Sequence, residues 1–290
     1  MDQSQAVAGY WDRYVGSHIN SPDHWEANQV VQQWQWRCIS GDPSKNPIDW
    51  FLDTYGPFGS MASICSGSGV LELHVGSRCL HTGGIISGYD ISPGSIEVAR
   101  ERCAHLPNVS FQVLDANTEE LGTQRFDAIF AHGALHHIER LDNCLGSLRA
   151  ALKPGGYLYV NDYVGPSRFQ WADVQLRLAR ELFELIPPRY RRNADVKRCD
   201  PVALSELDPS EAVRSDQIMV HIKAHFRVIK HFDRGGTLLA PIFGSGCIDP
   251  SIFENSEGMA LIDELCRRER ELIDDGLLES DHVVVVARPR

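Results

Sequence analysis

Two aspartates and two adjacent histidines carry the clearest chemical signals in this sequence. Asp90 closes the apolar run 85–90, and Asp115 closes the run 109–115. A carboxylate only accepts hydrogen bonds, so two of them at neighbouring strand ends suit two donor groups of one nucleoside. His136 and His137 follow a further apolar run, where a histidine could act as a general base near neutral pH. The alternative is that the pair only begins a helix and packs against the sheet.

A glycine-rich turn precedes both aspartates. Residues 61–64 are typical of a strand, Gly67 and Gly69 follow in a turn, and the run from Val70 predicts a helix. Glycine permits the sharp turn and lets a ligand touch the backbone, while the first N–H groups of the helix are unpaired. A strand, a glycine turn and a helix together are typical of a nucleotide cradle, although a Gly-x-Gly pair alone is common.

The rest of the chain must position these groups. Between residues 61 and 165 apolar strands alternate with amphipathic helices, which predicts an α/β fold with a parallel sheet covered by helices on both faces. Residues 1–60 hold five of the six tryptophans and are predicted to form a helical N-terminal cap. Residues 166–225 are helical and charged, which predicts a lid insertion, and residues 226–290 supply the final strands around one helix.

Composition excludes several functional classes. A formal net charge of -11 over 290 residues argues against nucleic acid as a partner, because nucleic-acid binders usually carry a basic field. The eight cysteines are dispersed without a Cys-x-x-Cys pair, which fits reduced thiols in a cytoplasmic protein. No run reaches the roughly 18 apolar residues that cross a bilayer, so no membrane is expected. Neither the cysteines nor the histidine pair shows metal-ligand spacing, so no metal is predicted. Oligomeric state leaves no signal.

Taken together, these features resemble a class I S-adenosylmethionine-dependent methyltransferase. The resemblance covers about 60–165, and it is carried by the glycine turn 65–69, Asp90, Asp115, the Leu-His-His-Ile segment 135–138 and the Leu-Lys-Pro-Gly-Gly segment 152–156. It implies a Rossmann-like seven-stranded sheet with an antiparallel last strand. It also implies S-adenosylmethionine as the cofactor and S-adenosylhomocysteine as its product.

The resemblance implies roles for single residues. Gly67 and Gly69 would face the methionine part of the cofactor, Asp90 would accept from both ribose hydroxyls, and Asp115 would accept from the adenine amino group. Ile91 would pack on the adenine face. The expected cofactor-binding residues are Cys65, Gly67, Gly69, Asp90, Ile91, Asp115, Ala116 and His132.

Two positions depart from the family pattern. The family usually carries an acid where Ser63 stands and a glycine where Cys65 stands. Ser63 cannot give a negative charge to the methionine ammonium, so the sequence predicts modest cofactor affinity. A water network or the side chain of Tyr14 would have to compensate.

His136 and His137 are the candidate catalytic residues, because the family places the reactive methyl group near the end of strand four. The alternative is catalysis by positioning alone, since displacement at a sulfonium neutralises charge and needs a base only for a weakly acidic acceptor. Tyr163 and Arg168, at the mouth of the cleft, are candidate substrate contacts, although Tyr163 could equally shield the core. The basic stretch 189–198 could meet an anionic acceptor or form a solvated lid surface.

The expected activity is methylation of a small-molecule acceptor, with oxygen as the expected acceptor atom, because the cap and lid would enclose the cleft. One alternative is a cofactor-binding or scaffold protein without turnover, motivated by Ser63 and Cys65. A nicotinamide-dependent oxidoreductase is a weaker alternative, because Glu72 occupies the place of the third glycine that its fingerprint needs.

Overall fold

A seven-stranded sheet runs through the protein. The structure is a computed structural model that describes residues 3–14, 25–192 and 195–290. In chain order the strands are β1 (Ser60–Ile64), β2 (Ile85–Asp90), β3 (Val109–Val113), β4 (Phe126–His132), β5 (Leu152–Tyr163), β6 (Phe226–Gly235) and β7 (His282–Pro289).

The strand order is β3-β2-β1-β4-β5-β7-β6. Strands β1 to β5 pair in parallel, whereas β7 runs antiparallel to both β5 and β6. The predicted Rossmann-like sheet with an antiparallel last strand is therefore confirmed.

Helices cover both faces of the sheet and extend beyond it. The described residues form α1 (Gln3–Tyr14), α2 (Gln29–Ser40), α3 (Pro47–Tyr55), α4 (Val70–Cys79), α5 (Pro93–Arg102), α6 (Leu141–Ala151), α7 (Asp173–Phe183), α8 (Pro201–Leu207), α9 (Ile218–His225), α10 (Leu239–Gly244) and α11 (Ser256–Asp274). None of these helices is both long enough and apolar enough to cross a membrane.

The central strands are apolar on both faces because helices cover both sides. Ala62 and Ile64 of β1 pack in one core with α6 and α9, whereas Met61 packs in a second core with α3 and α4. Local signals set the helix starts: Ser92 caps α5 by accepting from the Ser95 N–H, with Pro93 at the first helical position.

The cap and the lid share a core of their own. Trp25 and Val31 pack in one cluster with Trp171 and Leu176 of the lid and Ile262 of α11. This shared core holds the cap and the lid together beside the sheet. The domain boundaries at residues 60, 165 and 225 remain predictions.

One element boundary differs from the sequence expectation. The sequence predicts a helix over 141–152 that ends at the segment 153–156, followed by a strand over 157–164. In the structure α6 ends at Ala151 and β5 already begins at Leu152. Gly155 adopts a φ of +81° there, and the pairing of β4 with β5 is irregular next to Phe126. The start of β5 therefore contains a local irregularity in strand pairing, which accommodates the left-handed conformation of Gly155.

Candidate functional site

The glycine turn joins β1 to α4 at the carboxyl end of the central strand. Cys65, Gly67 and Gly69 all have positive φ angles, of 50°, 51° and 77°. A Cβ on Gly69 would lie 2.9 Å from both Ala99 and Phe111, so glycine is required by close packing as well as by conformation. Cys65 adopts the left-handed conformation with a side chain, at the cost of backbone strain.

Asp90 ties this turn to the end of β2. Its two carboxylate oxygens accept hydrogen bonds from the Gly67 N–H at 2.8 Å and the Ser92 N–H at 2.9 Å. Burial raises the pKa of Asp90, and these two bonds oppose that shift. Because a carboxylate has about four acceptor positions, Asp90 keeps capacity for further donors such as a pair of hydroxyls.

Asp115 joins the end of β3 to the N-terminal helix. It accepts from the Ser4 hydroxyl at 2.8 Å and from the Asn117 N–H at 2.9 Å. Burial would raise the pKa of Asp115, but the hydrogen bonds from Asn117, Ser4 and Thr118 together lower it. Ser4 lies on α1, so the N-terminal helix closes over this part of the sheet edge.

A cavity of about 400 Å³ lies between α1, the ends of the strands and the lid. Its lining includes Ser4, Val7, Ile91, Asp115, His137 and Ser210. Ile91 and Asp115 thus line one cavity together with His137, and the roles predicted for them stay predictions. Ala116 packs against the apolar core below, and Asp90 and the glycine turn lie next along the same sheet edge.

A buried carboxylate fixes His136 beyond the end of β4. Asp162 of β5 accepts from His136 Nδ1 at 2.5 Å and from the N–H groups of Ala134 and Leu135 at 2.9 and 2.7 Å. Burial opposes the charged imidazolium, but Asp162 first and Glu211 next outweigh it and raise the pKa of His136 to about 9. Conversely, burial would raise the pKa of Asp162, yet His136 and the N–H donors lower it.

The lid brings a second carboxylate to the same histidine. Glu211 Oε1 lies 3.7 Å from His136 Nε2, and burial raises the pKa of Glu211. His137 Nδ1 lies 3.2 Å from the Ser210 hydroxyl, which donates to Asp208 at 2.7 Å. Burial and then the neighbouring His136 hold the pKa of His137 well below its usual range, so His137 is neutral.

The turn that carries the two histidines brings their rings together. Leu135–His137 form one turn of 3-10 helix, and the ring centroids of His136 and His137 lie 4.0 Å apart. One possible ligand atom from each histidine and from Glu211 lies within 4.8 Å of the others. Spacing by itself therefore does not exclude a metal here, and the expectation of no metal stays a prediction. Among the described residues, protonated His136 is the nearest positive charge to Asp162 and Glu211, and Arg168 acts more weakly on Glu211.

The two candidate substrate contacts have structural partners. Tyr163 is 5% exposed, and its hydroxyl donates to the Pro166 carbonyl at 2.9 Å. The Arg168 guanidinium donates to three backbone carbonyls within 208–211, at 2.8 to 3.3 Å. Arg168 thus holds the lid turn that carries Glu211. Among the described residues neither side chain lines the cavity, and their contact with substrate stays a prediction.

His132 is the last residue of β4. Its side chain is exposed, and its Nδ1 lies 3.5 Å from Asn161 Nδ2. Arg234 of β6 donates to Asn161 at 2.6 Å and pairs with Glu26 of the cap. The sequence offered no signal for Arg234 or Glu26, because the two residues are more than 200 positions apart.

The structure places Glu72 beside Ser63, a neighbour that the sequence did not predict. Ser63 donates a hydrogen bond to Glu72 Oε1, and the Glu72 side chain is fully buried in the first turn of α4. Among the described residues, Glu72 Oε2 and the Ser66 hydroxyl are buried without a hydrogen-bond partner. These two atoms, which lack hydrogen-bond partners, could bind the charged end of a cofactor. Asp90 and Asp115 at the neighbouring strand ends could bind its nucleoside, so the residues present fit a nucleoside cofactor with a charged tail. The side chain of Tyr14 lies outside the described residues.

The basic stretch of the lid forms ion pairs within its surroundings. Arg189 pairs with Glu257, Arg191 with Glu184, and Arg198 with Asp173. Such exposed pairs are typical of a solvated surface.

Comparison with known proteins agrees with this geometry. Residues 64–224, more than half of the chain, match the family model of a methyltransferase domain. A demethylmenaquinone methyltransferase of Tropheryma whipplei (strain Twist) is 29% identical over 114 residues, which are 38% of this chain and 47% of that protein. The chain thus matches about half the length of that relative.

Two further comparisons extend over more of the chain. An uncharacterised methyltransferase of Mycobacterium bovis is 28% identical over 162 residues, 55% of this chain and 80% of that protein. The crystal structure of a geranyl diphosphate C-methyltransferase from Streptomyces coelicolor A3(2), solved with S-adenosyl-L-homocysteine, superposes with a TM-score of 0.59 at 11% identity. That superposition covers 100% of this chain and 99% of the other, and it shows a common fold.

The chain therefore belongs to the methyltransferase domain family. The strand order, with β7 antiparallel, and the glycine turn after β1 agree with the Rossmann-like fold that the sequence resemblance implies.

Proposed function

We propose that this chain is an S-adenosylmethionine-dependent methyltransferase. It methylates an oxygen atom of a small-molecule acceptor, with His136 as the base. The observation that carries the proposal is the His136 imidazole, fixed by Asp162 at 2.5 Å at the carboxyl edge of the sheet, next to His137 of the cavity. The cofactor supplies an electrophilic methyl group on a sulfonium. Acceptor and base then need only be positioned and, for a weakly acidic hydroxyl, deprotonated.

The protein's own residues divide this work. His136 is mostly protonated at neutral pH because its pKa is raised to about 9. Its neutral form takes the acceptor proton at Nε2, the ring nitrogen that Asp162 does not occupy. Asp162 stabilises the imidazolium that forms, and Glu211 faces the atom that carries the new proton. His137 remains neutral and helps to orient the acceptor.

The cavity supports a small acceptor. Its volume of about 400 Å³ falls in the range of small-molecule pockets, and α1 and the lid enclose it. The net charge of -11 supports neither nucleic acid nor an anionic membrane surface as a partner. All eight cysteines are free, which supports a cytoplasmic location.

A carbon acceptor is the second candidate. A base as strong as His136 suits an enolisable C–H group as well as a phenolic hydroxyl. The similar structure from Streptomyces coelicolor is named a C-methyltransferase, but at 11% identity it contributes only the fold.

Product analysis separates the two candidates. The enzyme would be supplied with S-adenosylmethionine labelled with ¹³C in its methyl group and with phenols, hydroxy acids and 1,3-dicarbonyl compounds. Carbon-13 NMR then distinguishes a new O–CH₃ group from a new C–CH₃ group. We expect O–CH₃ products from phenols. Bound S-adenosylhomocysteine without turnover of any acceptor would instead favour a scaffold protein.

The pH dependence tests the base. Since the neutral form of His136 is the active one, kcat/KM should rise with pH until it levels off above about 9. His136→Gln should remove this rise and lower kcat about 100-fold, with little effect on S-adenosylhomocysteine binding. His137→Gln is the matched control and should keep the rise. Normal turnover by His136→Gln would show that positioning alone drives the reaction.

A further inference from the structure

We propose that Glu72 supplies the negative charge that meets the cofactor's α-ammonium group, in place of the acid that the family carries at the position of Ser63. The proposal rests on the methyltransferase function of the chain but not on the identity of the acceptor. It adds a residue of α4 to the cofactor site.

Glu72 lies next to Ser63 on the side of β1 that α4 covers. Side chains alternate along a strand, so Ser63 shares the face of Met61, which packs against the helical layer containing α4. Glu72 lies in the first turn of that helix, and its Oε1 accepts a hydrogen bond from the Ser63 hydroxyl. A carboxyl group therefore lies beside residue 63, where the family pattern leads one to expect it, but it is attached nine residues further along the chain.

Glu72 has no cationic partner among the described residues. Glu72 is 0% exposed, and no described lysine, arginine or histidine forms an ion pair with it. Burial raises the pKa of Glu72 to about 7, and the hydrogen bonds from Ser63 and from the Glu72 backbone N–H oppose this shift only in part. The charged neighbour that acts on it is Asp90, another acid. One of its oxygens has no hydrogen-bond donor.

A purely structural role does not explain this buried acid. The helix dipole stabilises an acid in the first turn only slightly. A buried carboxylate without a counter-charge is destabilising by a much larger amount. A cationic ligand group would remove that cost, and the resemblance places the methionine part of the cofactor, with its ammonium, at this turn.

The proposal reverses the expectation from sequence alone. Ser63→Asp would not restore a missing charge. It would bury a second carboxylate against Glu72, so the single variant should bind cofactor more weakly than the wild type.

Calorimetric titration with two matched ligands tests the proposal. S-adenosylhomocysteine carries the ammonium, and its desamino analogue keeps the adenosine, the thioether and the carboxylate. Glu72→Gln should weaken S-adenosylhomocysteine binding about tenfold and change binding of the desamino analogue less than about twofold, as expected for the loss of one charge-assisted contact. Near-ultraviolet circular dichroism checks that the variant is folded.

Two further variants keep the test decisive. The double variant Ser63→Asp/Glu72→Ser moves the acid back to the strand and should restore S-adenosylhomocysteine affinity to within a few-fold. Asp281→Asn is the control, because Asp281 is also a buried acid whose pKa is raised to about 7, but it bonds to Gln175 in another part of the molecule. It should leave the ratio of the two affinities unchanged.

Two binding results would contradict the proposed role of Glu72. If Glu72→Gln weakened both ligands equally, Glu72 would only support the turn and the proposal would be overturned. Unchanged S-adenosylhomocysteine binding would overturn it as well. If the wild-type protein bound neither ligand, the cofactor assignment itself would fail, together with this proposal.

Discussion

Two fully enclosed carboxylates at the same sheet edge, Asp162 and Glu72, respond to burial in opposite ways. Asp162, on the acceptor side, faces an imidazolium and N–H donors, and its pKa is lowered. Glu72, below the glycine turn, accepts a hydrogen bond from the Ser63 hydroxyl, one of its oxygens has no hydrogen-bond partner among the described residues, and burial raises its pKa to about 7. The difference shows that partners rather than burial decide whether such a group is charged. The acceptor side carries its own counter-charge, whereas the cofactor side is completed by its ligand.

The largest expected effect concerns the acceptor side. Asp162→Asn removes the charge that raises the pKa of His136, so that pKa should fall and the rise of kcat/KM should move to lower pH. The remaining base is weaker, and we expect the plateau of kcat/KM to fall by roughly 100- to 1000-fold. A pH–rate profile measured from pH 6 to pH 10 gives both quantities.

Glu211→Gln is the companion variant for this measurement. It removes the second carboxylate near His136 and leaves the Asp162 hydrogen bonds in place. Its profile should move in the same direction by a smaller amount. If the pH–rate profiles of both variants coincided with that of the wild type, the two carboxylates would not control turnover.

The next effect concerns Asp90 on the cofactor side. Asp90→Ala should weaken S-adenosylhomocysteine binding by about 100-fold or more, because it removes the acceptors predicted for the ribose as well as the bond that fixes Gly67. Asp90→Asn keeps one acceptor oxygen and should be intermediate. Calorimetric titration provides the comparison, and unaltered affinity in Asp90→Ala would place the nucleoside elsewhere.

The smallest expected effect is on the free energy of unfolding. It tests the difference between Asp162 and Glu72 most directly. An unfolded glutamate titrates near 4.5 and folded Glu72 near 7, so the folded state loses stability as pH rises between these values and carries the full penalty above 7. Glu72→Gln is neutral throughout. It should raise the free energy of unfolding by about 2 kcal/mol at pH 8 and by little below pH 4.5.

Urea denaturation of the ligand-free protein at the two pH values measures this difference. Saturating S-adenosylhomocysteine should reduce the advantage of the variant, because the ligand then partners Glu72 in the wild type. An equal gain at both pH values would mean that packing, and not charge, explains the effect.

Much of the cofactor side could be predicted because its parts are local. Strand β2 has the predicted bounds Ile85–Asp90, and the positive φ angles of Gly67 and Gly69 follow from the need for a sharp turn before α4. Ile91 and Asp115 follow directly on the ends of parallel strands, which meet at one edge of a sheet. The roles of these residues as cofactor contacts remain predictions.

The acceptor side could not be assembled from sequence in the same way. Asp162 lies 26 residues from His136, and Glu211 lies 75 residues from it on a lid whose path only the fold defines. Arg168 was expected to contact substrate, and the structure shows it bound to the lid backbone instead of lining the cavity.

The sequence by itself determined the sheet, the glycine turn and the acids at the strand ends, because these depend on residue type and short-range periodicity. Only the tertiary structure decided where the remaining charges lie. The chain has no acid at Ser63, but folding β1 against α4 brings Glu72 to that hydroxyl. Packing the lid over β4 places Glu211 opposite His136. Side chains that are distant in the chain become neighbours only when the elements that carry them pack, and their charges then depend on those neighbours.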